Sequence, residues 1–186
     1  EELGGWKIQA QNGTVDNVVD SEAEAFETAR RFLSYLPGSV HELPERTPPT
    51  DDPKRREDSL MSVVPTDGKT PYKPHKIIEA SVDQGSFFEI GQVWGRGIVT
   101  GLARIDGYPV GIMAGNPFFL DGAWTADVCD KVTRHMDLCS QFHLPVIHFV
   151  DCPGFAVGVK AETAGVTRAG VRAMTAVYQA DVPVCS

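Results

Sequence analysis

Residues 144–158, LPVIHFVDCPGFAVG, constrain this chain more than any other stretch. Val146 to Val150 is apolar, β-branched or aromatic apart from His148, the pattern of a strand buried on both faces. Asp151-Cys152-Pro153-Gly154-Phe155 then breaks any regular ladder, because Pro lacks an N–H and Gly weakens a strand. A helical pattern resumes near Ala164. Strand, Gly-containing loop and helix, in that order, place backbone N–H groups at the carboxyl end of a parallel strand. Such a loop can hold a developing negative oxygen without any charged side chain. Chemistry, if present, is expected there.

Composition narrows the partners. The 186 residues carry 17 Lys and Arg against 25 Asp and Glu, a net charge of −8, which disfavours nucleic acid or an anionic membrane surface. A local basic patch for an anionic cofactor stays open. Cys129, Cys139, Cys152 and Cys185 form no CxxC pair, so free thiols in a reducing compartment are expected. The five His lack metal-ligand spacing, so no zinc site is expected. No apolar run approaches ~20 residues, the length that spans a bilayer. The chain begins at Glu1 and stops at Ser186 as a new strand starts, and it reads as an excerpt of something longer.

Further elements follow in chain order. Ser21 and Glu24 fit a capping box opening a helix with Phe26, Ala29, Leu33 and Leu36 on one face, ended by Pro37-Gly38. Eight prolines lie between Pro37 and Pro74, amid mixed charge, and this composition cannot bury a core. It reads as an extended linker, with Met61 to Val64 as a short anchoring strand and Lys54-Arg55-Arg56 solvated. A compact α/β pattern then begins. Pro74 suits the first turn of a helix carrying Ile77, Ile78 and Val82, and Phe87 to Ile90 reads as a strand. Asp106-Gly107 joins Ile98–Ile105 to Tyr108–Ala114 as a hairpin whose second arm, with Pro109, is expected to begin at an edge. An amphipathic helix over 125–143 buries Val128, Cys129, Val132, Met136, Cys139 and Phe142. Strand 146–150, a helix over 164–180 and a strand at Val182 complete a parallel βαβ unit.

Several strings together resemble the carboxyltransferase (β) subunit of biotin-dependent acyl-CoA carboxylases, of the propionyl-CoA and methylmalonyl-CoA type. They are EELGG at 1–5, LSYLP at 33–37, IIEASVDQGSFFEI at 77–90, IVTGLARIDGYPVGIMAGNP at 98–117 and HLPVIHFVDCPGFAVG at 143–158. Glu162, Gly165, RAG at 168–170 with Arg172, and ADVP at 180–183 extend the match. The resemblance implies an α/β, crotonase-like (ClpP/crotonase) spiral of ββα units. On that reading residues 1–36 are the tail of an N-terminal carboxyltransferase domain, 37–71 a linker, and 72–186 the start of an incomplete biotin-side domain. Three departures mark an atypical branch: Cys152 at a usually hydrophobic place, residues 11–16, and Phe118-Phe119.

The resemblance also implies a reaction. A carboxyl group passes from N1-carboxybiotin, borne by a carrier, to the α-carbon of an acyl-CoA. The ureido and thioester oxygens both gain charge, and fixed backbone amides suit both. No His–Asp or paired-carboxylate signature is present, and biotin's ureido nitrogen can take the α-proton. Gly154 and Phe155 are then the candidate catalytic residues, with Gly115, Asn116, Pro153 and Gly158 lining the cofactor site. The alternative is that Pro153-Gly154 and Gly115-Asn116 merely turn the chain. Lys54-Arg55-Arg56 facing CoA phosphates is likewise an alternative to solvation. Asp151 is expected to cap its own loop, Glu162 and Arg168 to be a structural pair or solvated, and His148 to be a core histidine. The implied partners are acyl-CoA, a biotin carboxylase or biotin carboxyl carrier subunit, and further copies in a dimer or hexamer. The implied location is the bacterial cytoplasm or mitochondrial matrix. Transfer is not expected of the excerpt alone. A biotin-dependent decarboxylase component, a non-catalytic scaffold subunit and a crotonase hydratase or isomerase are the rivals.

Overall fold

The computed structural model describes residues 4–52 and 54–186. Among these, β1 (Phe88–Ile90), β2 (Ile98–Ile105), β3 (Tyr108–Gly115), β4 (Val146–Phe149) and β5 (Val184–Cys185) form one sheet in sequence order. The first three strands pair antiparallel and the last three parallel. The change follows from the connections. Asp106-Gly107 closes β2 onto β3 with positive φ at both residues (51° and 78°), which a two-residue hairpin turn demands. Helix α4 (Ala126–Gln141) instead carries the chain across the sheet from β3 to β4, and a parallel partner needs such a crossover.

The alternation along β2 and β3 sets the two layers. Ile98, Leu102 and Met113 face α4 and α6 (Val166–Gln179), joining Val128, Val132, Met136, Ala169 and Ala173 in one core. Val99, Ala103, Val110, Ile112 and Ala114 face the other way, onto Ile78 and Val82 at α3 (Pro74–Ser81). Thr125 caps α4 by accepting from Val128 N–H at 3.3 Å. Each fully buried Val or Met on that helix contributes about 1.5–3 kcal/mol. Two polar residues share its covered face, Lys131 and His135, and the apolar stripe read from the sequence omitted both.

Several expectations change. Met61–Val64 is no strand: Asp58–Ser62 forms a 3-10 turn and Met61 stands exposed. Arg55 is not simply solvated, since it donates to the carbonyls of Glu79 and Val82 and pairs with Asp51 at 2.9 Å. Arg46 and Thr47 likewise stitch the proline-rich segment to the hairpin turn, through Asp106 and Gly107. Asp83, buried, accepts from the Asp106 and Gly107 amides at 2.8 and 2.7 Å.

β3 is central, not an edge. Gly111 N–H points at Pro145 O, so the Pro109 nitrogen faces the same flank just beyond the start of β4, where no acceptor goes wanting. On α2 (Glu22–Leu33), Ser21 accepts from Glu24 N–H as expected, but Phe26 and Leu33 are exposed. Leu36 packs against the core as expected, and Phe32 and Tyr35 join it there in place of Phe26 and Leu33. The expected helix over 164–180 is α6, and a further short helix, α5 (Val159–Thr163), precedes it across Gly165 (φ 77°). In β4 only Val146 is fully buried; Ile147, His148 and Phe149 are half-buried, and Val150 lies beyond the strand, exposed.

Candidate functional site

The 151–158 loop leaves the carboxyl end of β4 and is pinned at two points. At its start, the Asp151 carbonyl lies against Gly115, the last residue of β3, and against Gly122. A methyl group on Gly115 would overlap that oxygen, so only Gly permits the approach. Further on, Trp124 N–H donates to Gly154 O and Ala156 N–H donates to Trp124 O, both at 2.9 Å. This one-residue parallel bridge fixes the main chain on either side of Phe155 and turns Phe155's own N–H away from Trp124. That N–H meets no acceptor among the described residues. Gly154 N–H rests on the Cys152 sulfur at 3.3 Å, a weak acceptor. Gly154 takes φ 127°, a conformation open to Gly.

The ring of Phe155 is held too. It meets Trp124 edge-on with centroids 6.0 Å apart and lies on the backbone of α6 at Gly170, where any Cβ would strike it. Pro153 and Gly158 are exposed, and Gly158 (φ 105°) begins α5. Gly115 is buried by its packing on Asp151. Asn116 spends its side chain on structure, donating to Arg96 O and accepting from Phe118 N–H, while its own N–H goes to Gly97 O. The structure thus gathers Gly115, Asn116 and the loop at one end of the sheet.

Beside the loop, Tyr72, Pro74, Ile77, Gly115, His148 and Val150 line a cleft of about 360 Å³ that Gly154 and Phe155 do not reach. His148 is half-buried against Trp124, and burial lowers its pKa, so the imidazole is neutral. Asp151 does not cap its own loop: its carboxylate accepts from the Tyr72 hydroxyl at 2.6 Å. Burial, then this bond, pushes the phenol above its ordinary range. Glu162 and Arg168 are both exposed and form no ion pair with each other.

Beneath the same end lies a charged floor. Lys131 is 3 % exposed and donates to the carbonyls of Gly91, Trp94 and Ile98 at 2.9, 3.0 and 2.9 Å. Burial draws its pKa down to about 8, with Glu89 and Asp16 pulling the other way. One turn on, His135 lies 3.6 Å from the Cys139 sulfur, and burial takes its pKa down to about 3. Burial pushes the Cys139 thiol up to about 12 and the Cys129 thiol to about 11, so neither is a nucleophile. Among the described residues no cluster of ligating side chains could hold a metal ion.

The loop offers main-chain donors on an α/β scaffold, and its one charged side chain, Asp151, is bonded to Tyr72. Comparison with known proteins gives the family. The family model for the carboxyl transferase domain matches residues 1–186, so the chain belongs to that family. An uncharacterized carboxylase, YngE, of Bacillus subtilis is 37 % identical, and covers 100 % of this chain and 36 % of its own length. The propionyl-CoA carboxylase carboxyltransferase subunit of Haloferax mediterranei is 36 % identical over 99 % of this chain, again 36 % of its own length. The transcarboxylase 12S crystal structure, described as a hexamer with methylmalonyl-coenzyme A bound, superposes with a TM-score of 0.93 at 32 % identity. It covers 98 % of this chain and 35 % of its own. The fold is therefore the crotonase-like carboxyltransferase fold, and the chain spans about a third of the length of these relatives.

Proposed function

We propose that this chain is part of an acyl-CoA carboxylase carboxyltransferase, moving a carboxyl group from N1-carboxybiotin to the α-carbon of an acyl-CoA. The observation that carries the reading is the Phe155 N–H, held in place by the Trp124 bridge and without an acceptor among the described residues. Biotin supplies the carboxyl group when it is presented by a carrier. The loop fits its ureido ring: Gly154 and Phe155 offer uncharged donors, and the Phe155 ring an apolar wall. The neighbouring Gly115, Asn116, Pro153 and Gly158 shape that surface, and residues 72–186 form the biotin-side domain. Residues 37–71 link it to 1–36, the tail of the preceding domain. The segment alone would not turn over.

The partners follow from the same reading: acyl-CoA, a biotin carboxylase or biotin carboxyl carrier subunit, and further copies of the chain. Val171, Met174 and Tyr178 support self-assembly, since they make an exposed apolar stripe on α6. Bacterial cytoplasm or mitochondrial matrix is the location proposed.

The test is transfer by the full-length protein from malonyl-, methylmalonyl- and longer carboxylated acyl-CoAs to free biotin. Saturable, biotin-dependent loss of the carboxyl group from one of these is expected. No biotin dependence with any of them would overturn the reading.

A further inference from the structure

Asp151 is the one acidic side chain within the 151–158 loop. Aspartate at the start of a turn commonly accepts from main-chain N–H groups two or three residues on. Pro153 has no N–H, so Gly154 N–H is the natural target, with Phe155 N–H next. A carboxylate seated there would occupy the donors that an incoming ligand oxygen needs. The structure shows it elsewhere: Asp151 Oδ2 accepts from the Tyr72 hydroxyl at 2.6 Å. Among the described residues Gly154 N–H keeps only the Cys152 sulfur, and Phe155 N–H has no acceptor.

Tyr72 is well supported for this task. Pro71 precedes it, and two residues later Pro74 opens α3, which Ile78 anchors in the core with no exposure. The Asp151 backbone is fixed on its other side by Gly115 and Gly122, so side-chain rotation is the freedom left to the carboxylate. We propose that Tyr72 is a positioning residue that holds the Asp151 carboxylate away from the loop amides and so keeps them available to a ligand oxygen. This gives the proline-rich segment a part in the site, 79 residues away in sequence from the group it controls.

The experiment compares full-length Tyr72→Phe, Asp151→Ala and the double variant with the parent. Tyr72→Phe keeps the ring that lines the cleft and loses the donor alone. Amide hydrogen exchange of the peptide covering 151–158 is expected to slow at Gly154 and Phe155 in Tyr72→Phe, and to return to the parental rate in the double variant. Transfer to free biotin should follow: kcat/KM for biotin falls roughly ten-fold in Tyr72→Phe with the acyl-CoA KM unchanged, and the double variant recovers it. A merely structural role for Tyr72 predicts a double variant at least as impaired as the single, and that result would overturn the proposal. Unchanged exchange at both amides in Tyr72→Phe would also overturn it. The rate effect rests on the proposed carboxyl transfer, whereas the exchange effect does not. A parent protein without biotin-dependent transfer would remove that function and leave exchange to decide the role of Tyr72.

Discussion

Two regions at the carboxyl end of the sheet treat their polar groups in opposite ways. In the floor, the Lys131 ammonium uses three donors on three carbonyls, and no described buried side-chain atom is left without a partner. In the 151–158 loop, the main chain is held by the Trp124 bridge, yet the exposed Phe155 has an N–H with no acceptor among the described residues. An unmade hydrogen bond in the floor would cost desolvation, whereas one in an exposed loop can be met by water. The floor is built to be stable, and the loop keeps the donor that the proposed function requires.

Lys131→Met should break the floor most severely. It leaves the Trp94 and Ile98 carbonyls without the amine and Gly91 O with the Trp94 N–H alone, and a stability loss of about 3–5 kcal/mol is expected in urea denaturation. A loss below 1 kcal/mol would mean water replaces the amine. Gly115→Ala tests the join between the regions, because its methyl would displace the Asp151 carbonyl. Overpacking of this kind costs about 1–3 kcal/mol, and the loop should move with it, visible as altered exchange across 151–158. A third test is in pH. Folding lowers the His135 pKa from 6.5 to about 3, so the unfolded chain takes up the proton first. The stability is complete above pH 6.5 and is lost as pH falls towards 3, by up to about 1.4 kcal/mol per unit. In His135→Leu that acid limb should be flatter; an identical slope would place the titration elsewhere.

The same contrast explains what could be read from the sequence. The β2–β3 hairpin was legible to within a residue, because Asp106-Gly107 dictates its own turn. A strand from Val146 and the loop after it were legible from the apolar run and the Pro-Gly break, but its burial was not, since only Val146 is fully covered and Val150 lies outside it. Helix α5 was not, since its five residues follow directly on the Gly-containing loop and are too short to show a helical period. Lys131 and His135 were missed although each falls three residues after a buried Val, at Val128 and Val132, squarely on the covered face. Counting polar residues inside the stripe would have found them. The Tyr72–Asp151 bond left no local signal, because only the tertiary fold brings Tyr72 to the end of β4.

The account turns on whether the loop's amides do the work, and Gly154→Pro addresses that most directly. It removes one donor and cannot adopt φ 127°. In the full-length protein, transfer to free biotin should drop by roughly 100-fold or more, while CoA binding stays at the parental level. Parental transfer by this variant would contradict the assignment of the site.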